Sequence, residues 1–172
     1  MAIPADISKM FTNQNDSLAT LSNSSPVLLV FLRHFGCVFC REALEDIQRQ
    51  RAHIESEGVR IVMVHMADEE TAREYFMRYN LEDIDRVSDP ACKFYMKFGL
   101  VKGNFKQLFG LRSWIRGFDA GVLQGHGVGK MLGDGFQMPG VFLIQKTKVV
   151  NEFVHENASD RPDYLQMLAC AS

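Results

Sequence analysis

The sequence predicts an α/β fold, a central mixed sheet flanked by helices. Three observations carry this expectation. Apolar runs of strand length alternate with stretches whose apolar residues recur at three- and four-residue steps. Strand–helix–strand units in that order imply parallel pairing with right-handed crossovers. Near the C-terminal end, two strand-like runs are separated only by Lys146-Thr147, which reads as a hairpin and adds an antiparallel edge.

The elements follow in order. Residues 5–21 carry Ile7, Met10, Phe11, Leu18 and Leu21, a partial helical stripe that Ser22-Asn23-Ser24-Ser25-Pro26 should break. Val27 to Leu32 is a continuous apolar run, the pattern of a strand buried on both faces. From Val38 to Glu57 the period turns helical, with Leu44, Ile47, Arg51 and Ile54 in step and Gly58 as the stop. Val59 to Met66 is a second buried strand. Asp68 can cap a helix whose Ala72, Tyr75, Phe76 and Tyr79 share a face. Residues 83–88 suit a short strand. Asp89-Pro90 then opens a helix with Phe94, Tyr95 and Phe98, closed by Gly99. Residues 100–138 read as an insertion of short helices and a Gly-rich loop. Gly140 to Gln145 and Val149 to His155 form the hairpin, and Ser159-Asp160-Arg161-Pro162 starts a last helix with Tyr164, Leu165 and Leu168 inward.

Composition narrows the function. At roughly 150 residues per domain, 172 residues argue for one domain, 1–172, with 100–138 inserted in it. Nineteen Lys and Arg against 21 Asp and Glu leave a net charge of -2, no footprint for nucleic acid or an anionic membrane. The longest apolar run, Pro26 to Leu32, is far short of the roughly 20 residues of a membrane-spanning helix. The start, MAIPADISKMF, lacks the basic and apolar regions of a secretory signal. Of four cysteines, Cys37 and Cys40 are three apart, while Cys92 and Cys170 are isolated, unlike a small secreted scaffold. These features lead us to expect a soluble cytoplasmic protein with no nucleic-acid or membrane partner. In such a reducing compartment Cys-x-x-Cys suggests redox chemistry or metal more than a staple.

Cys37-Val38-Phe39-Cys40 lies where the first full strand meets the following helix, a thioredoxin-like placement. A sulfur at a helix N-terminus meets unpaired N–H groups and the positive end of the dipole, which favour the attacking thiolate. Arg33, His34 and Arg41 are candidate cations beside it. The second sulfur, one turn away, can close a disulfide with the first, so one cysteine attacks and the other resolves. The alternatives are two buried structural cysteines, or zinc, for which no second Cys-x-x-Cys or His-x-x-x-His supplies the remaining ligands. Met138-Pro139 is the second element. A thioredoxin-like site places a cis-proline beside the cysteines, so we expect a cis bond here that turns the backbone of Met138 toward a substrate chain.

The stretch Phe31-Leu32-Arg33-His34-Phe35-Gly36-Cys37-Val38-Phe39-Cys40-Arg41-Glu42 resembles the signature of the peroxiredoxin-like AhpC/TSA group, of the selenoprotein L and prostamide/prostaglandin F synthase type. The resemblance runs from about Pro26 to His155. It implies a thioredoxin-like fold and thiol-dependent redox activity. The chain departs from mainstream peroxiredoxins, which carry Pro-x-x-x-(Thr/Ser)-x-x-Cys: Arg33 stands at the Pro position and Cys37 at the Thr/Ser position. By that overlay Cys40 meets the peroxide; by the thioredoxin pattern Cys37 is the attacking thiol.

Cys37 and Cys40 are therefore the candidate catalytic residues, with Arg33 and Pro139 in support. Arg33 suits a thiolate or a peroxide oxygen. His65, in an apolar strand, reads as a satisfied core histidine. Cys92 and Cys170 read as small buried residues or alternative resolving partners. Arg112 and Arg116 flank Trp114 in the insertion, and Gly125 to Met131 fails the phosphate-loop template. The expected function is a thiol-dependent oxidoreductase that reduces a peroxide, including an organic hydroperoxide, or a disulfide through a Cys37–Cys40 cycle. No bound cofactor or metal is expected; a thioredoxin- or glutathione-type thiol, or an NADPH-linked reductant, supplies electrons. The alternative is a non-catalytic redox-sensing or adaptor module, since fold alone does not fix function.

Overall fold

The computed structural model describes residues 7–104 and 133–170, the side chain of Cys170 excepted. Five strands form one sheet in the order β3-β2-β1-β4-β5: β1 is Val27–Phe31, β2 Arg60–His65, β3 Asp85–Ser88, β4 Gly140–Gln145 and β5 Lys148–Val154. β1, β2 and β3 pair in parallel, and β4 runs antiparallel to both β1 and β5. The mixed sheet is the thioredoxin-like architecture the sequence implies. The helices are α1, Leu18–Ser24; α2, Val38–Ser56; α3, Glu69–Met77; α4, Lys93–Lys97; and α5, Tyr164–Met167.

Alternation along β1 builds two cores. Leu28 and Val30 face one side, with Leu44 and Ile47 of α2, Tyr75 and Phe76 of α3, and Tyr164 of α5. Val27, Leu29 and Phe31 face the other, with Leu18 and Leu21 of α1 and Tyr95 of α4. Both faces of the central strand are therefore covered, which is why it reads as an unbroken apolar run. Tyr95 fixes the end of β1: its hydroxyl lies 2.6 Å from the carbonyl of Leu32, the residue before Arg33.

Several elements differ from expectation. The N-terminal stripe is not one helix. A 3-10 turn at Ile7–Lys9 is followed by a loop through Asn15, whose φ is 68°, and α1 then runs on through Ser24. The Ser17 hydroxyl caps α1 by accepting from Thr20 N–H at 3.1 Å, so the serines expected to break the helix are its last turn. Asp89 does gather N–H groups, from Lys93 (2.9 Å) and Phe94 (2.7 Å), but helical geometry begins only at Lys93, after Cys92 at φ 53°. At the C-terminal end, the cap is Asp163, not Ser159, and Leu165 faces outward.

The ends of the insertion are pinned together. Gly103 N–H donates to Phe136 O at 2.7 Å, and Lys102 pairs with Asp134 at 2.6 Å. The expectations for residues 105–132, including Arg112, Trp114, Arg116 and the Gly125–Met131 loop, fall outside the described residues.

The Met138–Pro139 bond is trans, since there is no cis peptide among the described residues. This corrects the expected cis-proline. The neck also removes the pairing expected of Met138: its N–H donates to Val101 O at 3.3 Å and its carbonyl accepts from Gln137 Nε2 at 3.2 Å. Both backbone groups are used within the chain and none is offered to a substrate strand. Pro139 keeps the ordinary place of a proline at a strand start, where its missing N–H is harmless.

Candidate active site

The end of β1, the turn Arg33–Gly36 and the first turn of α2 place the cysteines. Cys37 N–H donates to His34 O at 2.9 Å, closing the turn. Cys37 is the N-cap of α2, with extended φ -80° and ψ 131°, and its carbonyl accepts from Cys40 N–H (3.1 Å) and Arg41 N–H (3.3 Å). Its sulfur caps no backbone group. Instead, Arg33 Nη1 donates to Cys37 Sγ at 3.0 Å, and Nη2 donates to Gly135 O at 2.5 Å. Arg33 is 6% exposed, so this guanidinium is not a solvated strand end. A guanidinium only donates, so the sulfur accepts, and such a bond strengthens as the acceptor gains charge.

Cys40 is different. It lies in the first turn of α2, and burial, with Cys37 beside it, pushes its thiol far above the ordinary range; Arg33 and Arg41 oppose this only in part. Burial, then Arg33, lowers His34 to about 4. His34 is therefore neutral near pH 7 and is not the cation the sequence offered. Cys37, Cys40 and Cys92 are free thiols.

Cys40 lines a narrow cleft with free space of about 30 Å³, which Cys37 does not line. Phe39, Pro139, Val141 and Ala158 give it apolar walls, and Arg33 reaches its rim. Pro139 lines the same cleft as Cys40. Arg161 closes the far side. Its Nε bonds Asp46 Oδ2 at 2.7 Å and its Nη1 lies 3.3 Å from Glu42 Oε1. Asp46 and Glu42 are both buried. The sequence reading missed this cluster; the spacing of Glu42 and Asp46, one helical turn apart, was its one local signal.

His65 is fully buried, with Glu69 Oε2 3.9 Å from its Nε2 and Phe35 stacked on the ring at 5.8 Å. Cys92 is buried at the start of α4, away from the cleft lining. Among the described residues no group of three or more His, Cys, Asp or Glu is arranged to hold a metal, and no helix is long and apolar enough to cross a membrane.

Comparison with known proteins agrees with the geometry. Over 162 residues the chain is 25% identical to a prostamide/prostaglandin F synthase of Salmo salar, covering 92% of this chain and 80% of that protein. Its fold superposes on a cysteine-to-serine mutant of the peroxiredoxin 6 of Arenicola marina with a TM-score of 0.64, at 12% identity, covering 95% of this chain and 70% of that one. Peroxidoxin BcpB from Mycobacterium tuberculosis gives 0.57 at 15% identity, covering 87% and 82%. The model of the AhpC/TSA family matches residues 6–153, and on that match the chain belongs to this family, whose fold and thiol-dependent redox chemistry its sequence signature implied.

Proposed function

We propose that the protein is a thiol-dependent oxidoreductase in which Cys37 attacks a peroxide and Cys40 resolves the product. The observation that carries this is the 3.0 Å contact from Arg33 Nη1 to Cys37 Sγ. It gives Cys37 a buried, charge-assisted donor at a helix N-terminus, the environment of a reactive sulfur. Burial pushes the Cys40 thiol up, which favours Cys37 over the Cys40 of the peroxiredoxin overlay as the attacking sulfur.

The cycle balances as follows. Cys37 Sγ, as thiolate, attacks the terminal oxygen of a hydroperoxide and the O–O bond breaks. The alkoxide leaves, takes a proton and departs as the alcohol, so Cys37 becomes a sulfenic acid. Cys40 Sγ then attacks that sulfur, water leaves with the Cys40 proton, and a Cys37–Cys40 disulfide forms. Two electrons from external thiols restore the dithiol, so no bound cofactor is required. The cytoplasm, with its thiol pool, is the compartment this cycle suits.

The deciding experiment supplies reduced protein with cumene hydroperoxide and an NADPH-linked thioredoxin or glutathione recycling system. Sustained NADPH consumption, abolished by Cys37→Ser, is the expected result. A single stoichiometric oxidation with no turnover would assign the chain to a redox sensor instead.

A further inference from the structure

Arg33 is buried, and two contacts fix its guanidinium: Nη1 donates to Cys37 Sγ and Nη2 to Gly135 O. Its Nε has no hydrogen-bond partner among the described residues. Among those residues, the Gly135 carbonyl is therefore the oxygen that aims the donor at the sulfur. We propose that Asp134, the residue before it, is a positioning residue for Cys37, because its side chain shapes the turn that presents this carbonyl to Arg33. This rests on the reading of Cys37 as the attacking sulfur and deepens it by naming what orients the group that activates it.

Three observations support the assignment. First, Asp134 brackets Gly135 with its own bonds. Its Oδ1 accepts from Phe136 N–H at 2.9 Å, and its carbonyl accepts from Gln137 N–H at 3.2 Å. Second, the chain after this turn is tied down. Phe136 O accepts from Gly103 N–H at 2.7 Å, and the buried Gln137 donates from Nε2 to Leu100 O at 2.8 Å. Third, the chain before the turn lies close against the segment that carries Arg33. Gly133 has φ 121°, and a Cβ there would stand 2.9 Å from Met66 Cβ and 3.4 Å from His34 Cβ. The turn is thus fixed at both ends, and the Asp134 side chain sets its shape in between. Lys102 Nζ also lies 2.6 Å from Asp134 Oδ2, but the Lys102 side chain is 67% exposed, and an exposed pair of this kind contributes little. The bond to Phe136 N–H is the one that matters.

Asp134 acts through Arg33 and touches no reacting atom. With the turn loosened, Arg33 keeps its charge but must be ordered afresh at the sulfur, at an entropic cost. The Cys37 thiolate is then less well stabilised and attacks more slowly. A direct effect of the Asp134 charge has the opposite sign: removing a carboxylate near Arg33 and His34 eases formation of a thiolate. Asp134→Asn removes the charge and keeps an oxygen able to accept from Phe136 N–H, whereas Asp134→Ala removes both.

The test follows two readouts in the full chain: the rate at which hydrogen peroxide oxidises Cys37, and the pH midpoint of its alkylation by iodoacetamide, located by peptide mapping. Asp134→Ala should slow oxidation roughly three- to tenfold and move the midpoint up by about half a unit to one unit. Asp134→Asn should stay within about twofold of the wild type. Arg33→Ala combined with Asp134→Ala should be no slower than Arg33→Ala alone, because one residue works through the other. An unchanged rate in Arg33→Ala would overturn the reading of the Arg33–Cys37 pair and this inference with it. With Arg33→Ala slowed, the positioning role alone is overturned by an unchanged Asp134→Ala, by Asp134→Asn as slow as Asp134→Ala, or by losses that add in the double variant.

Discussion

Arg33 and Cys37 form a fixed pair at the start of α2, with one guanidinium nitrogen 3.0 Å from the sulfur and the other held by Gly135 O at 2.5 Å. The carbonyl belongs to the far end of the inserted segment, so the insertion's neck sets the direction of the guanidinium. Arg33→Ala removes the donor and should slow oxidation of Cys37 by about 10- to 150-fold, the equivalent of the roughly 1.5–3 kcal/mol of a charged hydrogen bond. Arg33→Lys keeps the charge but not the two-pronged geometry and should recover only part of the rate. Stopped-flow measurement of peroxide oxidation checks both; an unchanged rate in Arg33→Ala would remove Arg33 from the mechanism.

Cys40 predicts an alkaline weakness. Its thiol stays protonated in the folded chain above the ordinary value of 9.0, whereas the unfolded chain releases that proton near 9. Above pH 9 the native state therefore holds more protons than the unfolded one, and stability falls as pH rises, by up to about 1.4 kcal/mol per pH unit. Urea titrations between pH 8 and 10.5 should show this slope in the wild type and a shallower one in Cys40→Ala. Parallel slopes would contradict the assignment.

Much of this was legible in the sequence, because the signals were local. β1, the Cys-x-x-Cys and α2 are contiguous, and Arg33 is four residues from its sulfur. What escaped reading depends on distant chain. The charge of His34 is decided by burial and by Arg33. The backbone of Met138, expected to face a substrate, is occupied on both groups by that distant neck. The partner of Asp46 lies 115 residues on. Pro162 fits a first turn and so draws the start of α5 too early, yet it is the Asp163 carboxylate that accepts from Gln166 N–H at 3.0 Å.

The histidines predict an acid weakness of the opposite sign. His34, His65 and His155 are each lowered to about 4, with burial the leading cause. The unfolded chain protonates them near 6.5, so between about 6.5 and 4 the unfolded state binds more protons. Stability should then decline as pH falls through that window and level off below it as far as these groups are concerned. Replacing His65, which stacks on Phe35, with Phe should flatten the decline between pH 6.5 and 4 without altering stability at pH 8 by the same amount. Chemical denaturation across that range is the check, and an unaltered slope would count against His65 as a contributor.

The Asp46–Arg161 pair carries the last prediction. Asp46 is buried, while the Arg161 side chain is 37% exposed. Removing the arginine leaves Asp46 and Glu42 inside the fold, with the exposed Arg49 as the other cation on Asp46. Breaking one side of a buried pair costs roughly 3–5 kcal/mol; exposure of Arg161 and the remaining Arg49 bring Arg161→Ala below that range, to about 2–3 kcal/mol. Asp46→Asn removes a buried charge along with its partner's anchor and should cost less. The double variant Asp46→Asn with Arg161→Ala should be more stable than Arg161→Ala alone, because one buried carboxylate has gone with its cation. A double-mutant cycle in urea measures the coupling. Additive stabilities within about 0.5 kcal/mol would show that the two residues do not act as a pair.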